Sequence, residues 1–393
     1  MKHINFTRRD FLKTSTAAAG GALLGTLALE RSVHAANDDS LKIALVGCGG
    51  RGSGAAVQAM NADSNCKLVA MADAFRDRLD SAHEQIKKKH ESRVDVPEDH
   101  KFVGFDAFKH AIDLADVVIL TSPPGFRPAH FEEAVRKGKH IFMEKPVAVD
   151  AVGVRKVLAA AQEAKKKNLK VGVGLQRHHQ PNYIQTVKRL QDGAIGNIVA
   201  ARVYWNGGPV GPKYRRAKVA EILGRQPTEM EFQMRNWYMF NWLCGDHIVE
   251  QHIHNMDVVN WIKNDYPIRA SGMGGRAFQK GPDSGEIYDH HAVEYEFADG
   301  TRMFSQCRQI PGCENNVSEH VIGTKGLCNV SGHRITGEKN WRYQAQEGDS
   351  NDGWQLEHYS LFEAIRNDRE FNEAENGAKS TLTAIMGRMA TYS

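Results

Sequence analysis

The chain has 393 residues, of which 41% are hydrophobic, so it can bury two domains of about 150 residues or more. Its formal net charge at pH 7 is only +4, and most of that excess stands in the first 35 residues, which hold five Lys or Arg against two acidic residues. The remainder is close to neutral. The bulk charge therefore offers no surface for a polyanion, and we expect no nucleic-acid partner.

The N-terminal segment predicts export. Residues 7–13, TRRDFLK, match the twin-arginine pattern, and an Ala/Gly/Leu stretch follows at 17–29. We predict a twin-arginine signal peptide over residues 1–35, with cleavage after Ala35, so that the twin-arginine machinery is a partner and the protein is periplasmic or secreted. The apolar stretch is too short and glycine-rich for a comfortable membrane span, so we expect no stable membrane anchor.

The six cysteines show no CxxC pair and no zinc-like spacing. A twin-arginine substrate folds in the reducing cytosol before export, so we predict mostly free, buried thiols.

The first strong motif lies at residues 41–52. The apolar run LKIALV predicts a strand buried on both faces, and GCGGRG follows it. In such a loop Gly47 allows a tight turn, Gly49 lets the backbone approach a pyrophosphate, and Gly52 lets the next helix pack against the strand. The N-terminus of that helix would then face the anion.

A second apolar run, residues 67–72, ends in Asp73 at the distance expected of a carboxylate that binds the ribose hydroxyls of NAD. A glycine-rich turn followed by a solvated aspartate is the alternative interpretation. Asp73 would repel a 2′-phosphate, so NAD is the predicted cofactor. NADP stays the alternative because Arg51 and Arg76 are close in sequence.

Strands and helices alternate from Leu41 to about Lys170, which predicts a doubly wound parallel sheet, and we assign residues 36–175 to a dinucleotide-binding Rossmann domain. The predicted strands after the first two are 102–103, 116–121, 139–143 and 169–175, and the predicted helices are 75–90, 107–114, 128–136 and 152–167.

Ligands of open α/β sheets lie beyond the carboxyl ends of the strands, so polar residues there are site candidates. Glu144 and Lys145, followed by Pro146, end one strand, and Gln176 and Arg177 end another. The residues predicted to bind the dinucleotide are Gly47, Gly49, Gly50, Arg51, Gly52, Asp73, Thr121, Ser122, Pro123, Glu144, Lys145 and Gln176.

The second half, residues 176–393, predicts an α+β substrate and oligomerisation domain with a large, mostly antiparallel sheet. Its predicted strands are 198–205, 292–297, 301–306 and 317–322, with a hairpin turn at 298–300. Helices would cover one face, and the open face would need a second copy, so we expect a homo-oligomer. The long polar connection at 207–236 is expected to determine substrate specificity.

A helix is predicted over residues 245–264. On a helical wheel its core face holds Ile248, Val249, Ile253, Met256 and Val259, and a polar stripe opposite holds His247, Glu250, His254 and Asp257. His252 lies on the apolar face and is interpreted as a packed core histidine. A solvated surface and a metal site are alternatives for the stripe. We favour catalysis, because neighbouring carboxylates can tune a histidine base near neutral pH, and we assign no metal.

Three residues are predicted to contact substrate: Arg177, Tyr204 and Trp237. Arg177 suits a substrate hydroxyl or carboxylate, and a structural salt bridge is nearly as good an explanation. Trp205, Trp237, Tyr238 and Trp242 suit either a sugar-stacking wall or a hydrophobic core.

With GCGGRG, Asp73, Glu144-Lys145-Pro146 and residues 254–257 (HNMD) in place, the chain resembles the glucose-fructose oxidoreductase/inositol dehydrogenase (Gfo/Idh/MocA) family over nearly all of its length after the signal peptide. The resemblance implies that Lys145 reaches both nicotinamide and substrate, and that His254 is the acid/base with Asp257 in support. The family often has Asp four residues before that histidine, where this chain has Glu250.

These features predict an exported NAD(P)-dependent oxidoreductase that acts on a sugar, a cyclitol or a sugar derivative. An NAD-dependent glycosidase or lyase that oxidises the sugar ring transiently is the alternative, and a non-catalytic cofactor-binding protein is a further one. Free nicotinamide nucleotides are not expected outside the cytoplasmic membrane, so the export signal predicts a tightly bound cofactor.

Overall fold

Two sheets organise residues 39–393, the part of the chain that the computed structural model describes. The predicted signal peptide and its cleavage site lie outside the described residues. Within them no helix has the length and apolar character needed to cross a bilayer. All six cysteines are unpaired, and only Cys313 is exposed, which confirms the predicted free thiols.

The first sheet has six parallel strands in the order β3-β2-β1-β4-β5-β6, as predicted for a doubly wound fold. The strands are β1 (Leu41–Val46), β2 (Cys66–Asp73), β3 (Lys101–Val103), β4 (Val117–Leu120), β5 (His140–Met143) and β6 (Val171–Val173). The helices between them are α1 (Gly50–Ala62), α2 (Arg76–Lys87), α3 (Ala107–Asp113), α4 (Arg127–Arg136) and α5 (Ala151–Lys166).

Burial explains why the central strands are continuous apolar runs. All four residues of β4 are buried, and so are the last four of β1, because helices cover both faces of a parallel sheet. The chain runs to one edge from β1 and to the other from β4, so the two adjacent strands form the topological switch point at which such sheets bind ligands.

The second sheet has eight strands in the order β14-β13-β12-β11-β7-β10-β9-β8, and every neighbouring pair except β7 and β10 is antiparallel. The strands are β7 (Ile198–Gly207), β8 (Arg269–Gly275), β9 (His290–Glu296), β10 (Arg302–Gln309), β11 (Asn316–Gly323), β12 (Gly326–Asn329), β13 (Arg334–Gly337) and β14 (Trp341–Arg342). The predicted α+β half with a mostly antiparallel sheet is therefore confirmed.

The remaining helices complete the second half. They are α6 (Pro181–Gln191), α7 (Arg216–Leu223), α8 (Glu229–Arg235), α9 (Asn241–Cys244), α10 (His247–Glu250), α11 (Ile253–Lys263), α12 (Gly353–Arg366) and α13 (Ala374–Tyr392). α12 returns to the first sheet, where Leu361 and Phe362 join the core that contains Ile43 and Phe142. The domain division after residue 175 stays a prediction.

The single helix predicted over 245–264 is wrong. Gly245 and Asp246 have φ of +82° and +79°, so no α-helix continues through them, and the helical residues form α10 and α11 with a break at 251–252. In a regular helix the Glu250 carbonyl would accept the N–H of His254. Here Lys145 Nζ donates to that carbonyl at 2.5 Å, and the N–H of His254 turns to the Gln251 carbonyl at 3.4 Å. The lysine therefore replaces one bond of the helix.

Candidate functional site

A cavity of about 350 Å³ lies at the switch point of the first sheet, within the size range of small-molecule sites. Gly47, at the end of β1, has φ of +99°, and a Cβ there would lie 2.3 Å from the Ser122 nitrogen. A Cβ on Gly52 would lie 2.1 Å from the Gly47 carbonyl oxygen. These two glycines have the turn and close-packing roles that the sequence predicts for them.

Gly49 and Gly50 face open space, since no atom of the described residues lies within 4 Å of a Cβ built on either residue. Both line the cavity, so backbone at the N-terminus of α1 is accessible to an anionic ligand such as a pyrophosphate. The residues therefore fit a dinucleotide on steric grounds as well as by motif.

Asp73 lies at the end of β2 and lines the same cavity. Its carboxylate accepts the backbone N–H of Cys48 at 2.7 Å and that of Phe75 at 2.9 Å, which fixes its orientation. Burial raises the pKa of Asp73, and the two amide bonds oppose that shift. Thr121, Ser122 and Pro123 complete this wall, as predicted for residues after β4.

Arg51 and Glu144, both predicted to bind cofactor, form an ion pair with each other. The Arg51 guanidinium pairs with Glu144 and, at 2.8 Å, with Glu357 of α12, and it donates to Gln58 at 2.5 Å. Burial and the nearby Glu144 carboxylate raise the pKa of Glu357. Arg51 still lines the cavity, but its charge is used to hold the glycine loop against β5 and α12.

The connection 207–236, predicted to be a polar loop that selects substrate, contains α7 and α8 and covers the dinucleotide cavity. Residues 210, 211, 213 and 234–236 of this connection line the cavity, as do residues 237–239 that follow it, and we call the segment 210–239 the cover. Arg235 anchors this cover: its guanidinium pairs with Asp77 at 2.8 Å and lies 4.1 Å from the centre of the Phe75 ring. Trp237, predicted to contact substrate, is one of the lining residues of the same cavity.

Lys145 and Glu250 meet beyond the end of β5. Lys145 Nζ donates to the Glu250 carbonyl and, at 3.0 Å, to its carboxylate, and both side chains are nearly buried. The Lys145–Pro146 peptide bond is cis. Glu250 thus holds the ammonium group by two bonds, which the wheel alone did not predict.

His254 is 7% exposed at the start of α11 and stacks on Trp205, with 6.0 Å between ring centres. Burial, the Lys145 ammonium and the Arg177 guanidinium hold the pKa of His254 well below its ordinary value. Its Nδ1 has no hydrogen-bond partner among the described residues. The ring is therefore neutral at physiological pH, which leaves it a lone pair for a proton.

Asp257 does not hydrogen-bond to His254. Its carboxylate is buried and binds His178 Nε2 at 2.7 Å and Ser380 Oγ at 2.7 Å. Asp257 and His178, whose ring stacks on Trp261, form a separate pair. Burial lowers the pKa of His178, but the Asp257 carboxylate raises it by more. Although Asp257 lies one turn after His254 on α11, its carboxylate bonds to His178 and Ser380, so the predicted support of His254 is not a direct hydrogen bond.

Arg177 forms a salt bridge with Glu319 of β11, the second of the two interpretations that the sequence left open. Asn255 Nδ2 donates to the same carboxylate at 2.5 Å, and burial raises the pKa of Glu319. Since Arg177 also affects the pKa of His254, the ion pair adjoins the Lys145 cluster.

Tyr204, predicted to contact substrate, lies on the wrong face of β7. Neighbouring residues of a strand point to opposite faces. Trp205 stacks on His254 below the helices, whereas Tyr204 packs its ring edge-on against His320 of the open face. Gln176, predicted to bind cofactor, does not line the cavity; its backbone and side chain adjoin Gly353 of α12.

Sequence reasoning missed residues that link the cavity to the Lys145 cluster. Tyr238 lines the cavity, and its hydroxyl accepts Gln309 Nε2 at 2.8 Å. The same amide donates to Gln251 at 3.0 Å, in the break next to Glu250. Tyr238 carried an aromatic signal, but nothing in the sequence pairs it with β10. His252, bonded to Ser305 Oγ at 2.8 Å, is fully buried as predicted.

A pocket at the switch point of a 3-2-1-4-5-6 sheet, beside a second α+β domain, defines the class of two-domain NAD-binding oxidoreductases. Residues 41–174 match the oxidoreductase family model for the NAD-binding Rossmann fold, and residues 187–383 match the model for the C-terminal alpha/beta domain of that family. The chain therefore belongs to the Gfo/Idh/MocA oxidoreductase family and is an NAD-dependent oxidoreductase. Residues 5–25 match the twin-arginine translocation signal, which supports export by that route.

Curated relatives are distant. An inositol 2-dehydrogenase of Rhizobium meliloti (strain 1021) is 24% identical over 299 residues, 75% of this chain and 77% of that protein. A 2,7-anhydro-N-acetylneuraminate hydratase of Escherichia coli (strain K12) is 23% identical over 286 residues, 71% of this chain and 64% of that protein.

Solved structures share the fold. An aldose-aldose oxidoreductase from Caulobacter crescentus, complexed with glycerol, aligns with a TM-score of 0.67 at 19% identity, covering 90% of this chain and 98% of that one. A scyllo-inositol dehydrogenase from Lactobacillus casei with NAD(H) and scyllo-inositol aligns with a TM-score of 0.64 at 23% identity, covering 90% and 97%.

Proposed function

We propose that the protein transfers a hydride at a carbinol carbon of a sugar, cyclitol or sugar derivative, with Lys145 and His254 acting on the substrate oxygen. The observation that carries this proposal is the placement of a held ammonium group and a neutral, buried imidazole in one cluster beside the dinucleotide cavity. The names of the relatives, an inositol dehydrogenase and an aldose oxidoreductase, favour a polyhydroxylated substrate.

The two side chains divide the work. His254 takes the hydroxyl proton, since its depressed pKa keeps the ring unprotonated. Lys145 donates a hydrogen bond to the same oxygen as negative charge develops there, and Glu250 fixes the direction of that bond. NAD bound in the cavity would supply the hydride acceptor for the carbon. Asp257 and Arg177 position the surrounding elements through His178 and Glu319.

The test is turnover of a panel of cyclitols and aldoses by NAD-loaded protein, with product identification. We expect His254→Asn to abolish turnover while NAD remains bound. Tyr204→Phe is the matched control, because that ring lies on the open face, and it should leave turnover unchanged. A fully active His254→Asn variant would contradict the proposal and favour a cofactor-binding protein without catalysis.

A redox-neutral reaction is the second candidate, favoured by the cover over the dinucleotide cavity together with the export signal. In such a reaction the ring is oxidised, loses a glycosidic or hydroxyl group by elimination, and is reduced again by the same cofactor. An aryl glycoside that releases its phenol with no net change in NADH would establish it, whereas NADH accumulation in step with product would exclude it.

We also propose that NAD is held tightly, with residues 210–239 as its cover. Arg51 and Arg76 are paired with other carboxylates, so neither offsets the repulsion between Asp73 and a 2′-phosphate. Protein purified from periplasm or culture medium without added nucleotide should release near-stoichiometric NAD on denaturation. NADP in that supernatant, or no nucleotide at all, would contradict this proposal.

The anchor of the cover can be tested separately. Arg235→Ala removes the bond to Asp77 and the contact with Phe75, so NAD should be lost on dialysis. The control is Arg225→Ala, whose partner Glu231 is in the same cover but whose ion pair is exposed to solvent. Equal retention by both variants would show that the cover does not hold the cofactor.

The open face of the second sheet is proposed to bind a second copy of the chain. Its large apolar side chains Met273, Phe304 and Leu327 are 77%, 43% and 53% exposed. A Phe304→Glu, Leu327→Glu double variant should therefore be monomeric in light scattering, whereas Val152→Glu, on the exposed side of α5, should not change the mass. A monomeric parent protein would refute the proposal.

A further inference from the structure

Asp246, His247 and His291 form a buried cluster apart from the Lys145 site. Asp246 and His247 are fully buried at the start of α10, and His291 of β9 is 2% exposed. His291 Nε2 lies 3.2 Å from Asp246 Oδ1, and His247 Nε2 lies 3.9 Å from the same oxygen. One atom of each residue lies within 4.8 Å of the others. Ligand atoms about 2.0–2.1 Å from a tetrahedral zinc ion are about 3.3 Å apart, so the observed spacing is close to that of a metal site.

The protons around His291 can be assigned from its partners. The Thr391 hydroxyl donates to the Arg388 carbonyl at 2.8 Å, so it has no proton for the imidazole. His291 Nδ1, 2.9 Å from that hydroxyl oxygen, must therefore donate to it. In the neutral ring, Nε2 then directs a lone pair at the Asp246 carboxylate. Two facing lone pairs repel each other unless a cation lies between them, either a second proton on the ring or a metal ion. A donated Nδ1–H is also the usual tautomer of a metal-bound histidine.

The surroundings of His247 favour a metal ion over a second proton as the cation between His291 and Asp246. Both of its ring nitrogens are buried and have no hydrogen-bond partner among the described residues. A proton shared by Asp246 and His291 would leave this ring unsatisfied, because it would use neither nitrogen. A metal ion would use Nε2.

Asp246 is prepared as a ligand by its other bonds. Its Oδ2 accepts the Tyr392 hydroxyl at 2.7 Å and the Tyr288 N–H at 3.0 Å. Its Oδ1 accepts the His247 backbone N–H and lies nearer the two histidine rings, so the carboxylate is held in one orientation. Hydrogen-bonded carboxylates of this kind are typical of the shell around a bound metal.

We propose that Asp246, His247 and His291 bind one divalent transition-metal ion of the zinc class. The donor set of two imidazoles and one carboxylate suits Zn²⁺ and excludes the harder Ca²⁺ and Mg²⁺, which prefer oxygen. The ion ties the short helix α10 to β9, and through Thr391 and Tyr392 to the end of α13. Because the ligands are fully buried, it is taken up during folding, before export. No metal was predicted from the sequence, because His291 stands 44 residues after His247 in the chain.

The full-length protein from zinc-supplemented cells, purified without chelators, tests this by elemental analysis and by anomalous diffraction at the zinc edge. We expect near-stoichiometric zinc and an anomalous peak in bonding contact with the three ligand atoms. Zinc-free protein, or a peak only elsewhere, would overturn the proposal and leave the Asp246–His291 ion pair as the explanation.

Variants sharpen the result. Asp246→Asn and His247→Gln should lose most of the zinc, whereas His358→Gln should keep it. His358 is equally buried, but among the described residues its ring has no hydrogen-bond partner and it belongs to no candidate metal cluster. Should the first two variants fail to fold, wild-type protein refolded with Co²⁺ provides the readout. Visible d–d absorption from a tetrahedral site supports the proposal, and its absence contradicts it. None of these measurements depends on turnover.

Discussion

The dinucleotide cavity and the Lys145 cluster lie next to each other but depend on different interactions. The cavity is shaped by backbone: Gly47 and Gly52 bring the loop close to the strands, and Gly49 leaves room for a ligand. The cluster is shaped by buried charges from distant parts of the chain, such as Lys145 with Glu250 and Arg177 with Glu319. A change that adds volume should therefore damage the cavity, whereas a change that removes charge should damage the cluster.

The largest expected effect is on catalysis. Lys145→Met should lower kcat/KM by about 10³-fold with NAD content unchanged, because it removes the donor to the substrate oxygen but adds no volume at the cavity. Lys263→Met is the matched control, since Lys263 is also a nearly buried lysine in an ion pair, with Asp299. Steady-state kinetics checks both variants. A loss below about tenfold would place Lys145 outside the chemical step.

Adding a methyl group to the glycine loop is the converse test, because it adds volume and leaves the charge unchanged. Gly47→Ala requires a strained φ and overlaps the backbone of Ser122, so the cofactor-free protein should lose about 3 kcal/mol of unfolding free energy. The Cβ added by Gly49→Ala would have no atom of the described residues within 4 Å, so the unfolding free energy should equal that of the parent protein. This variant should nevertheless retain less NAD. Urea denaturation and nucleotide release measure the two effects. Equal stability of both variants would refute the distinction.

Asp73→Asn should weaken NAD binding by about 2 kcal/mol, roughly thirtyfold, because a charged acceptor for the ribose hydroxyls is replaced by a neutral amide. The preference for NAD over NADP should narrow at the same time. Asp80→Asn, which changes an exposed ion pair with Arg76, is the control. Calorimetric titration of cofactor-free protein compares them, and an unchanged preference would argue against Asp73 as the ribose-binding residue.

The smallest change per step measured is in the pH dependence of stability, where the free energy of unfolding falls by about 1 kcal/mol for each pH unit through His252. Burial lowers the pKa of His252 to about 3, below its unfolded value of about 6.5. Below pH 6.5 the unfolded chain takes up the proton first, so His252 destabilises the fold by about 1 kcal/mol per pH unit as the pH falls toward 3. His252→Gln should flatten the slope of unfolding free energy between pH 7 and 5. An unchanged slope would mean that His252 becomes protonated within the fold.

The sequence by itself determined the first sheet, the glycine loop and Asp73. These depend on residues adjacent in the chain: an apolar run makes a buried strand, and glycine permits the turn that follows it wherever the fold places them. The position of Lys145 just after a strand also follows from the local pattern, because the apolar run of β5 ends at Met143, shortly before it.

Only the tertiary structure decided which partners those side chains meet. Periodicity predicted one continuous helix over 245–264, but the helix is interrupted at 251–252, where Lys145, about a hundred residues earlier, donates to the free Glu250 carbonyl. His247, three residues before Glu250 on α10, clusters with Asp246 and with His291 of β9, which no local pattern connects to it. A helical wheel includes only interactions within the helix. A buried ammonium group needs acceptors wherever the fold supplies them, and the hydrogen bonds it gains replace the local pattern.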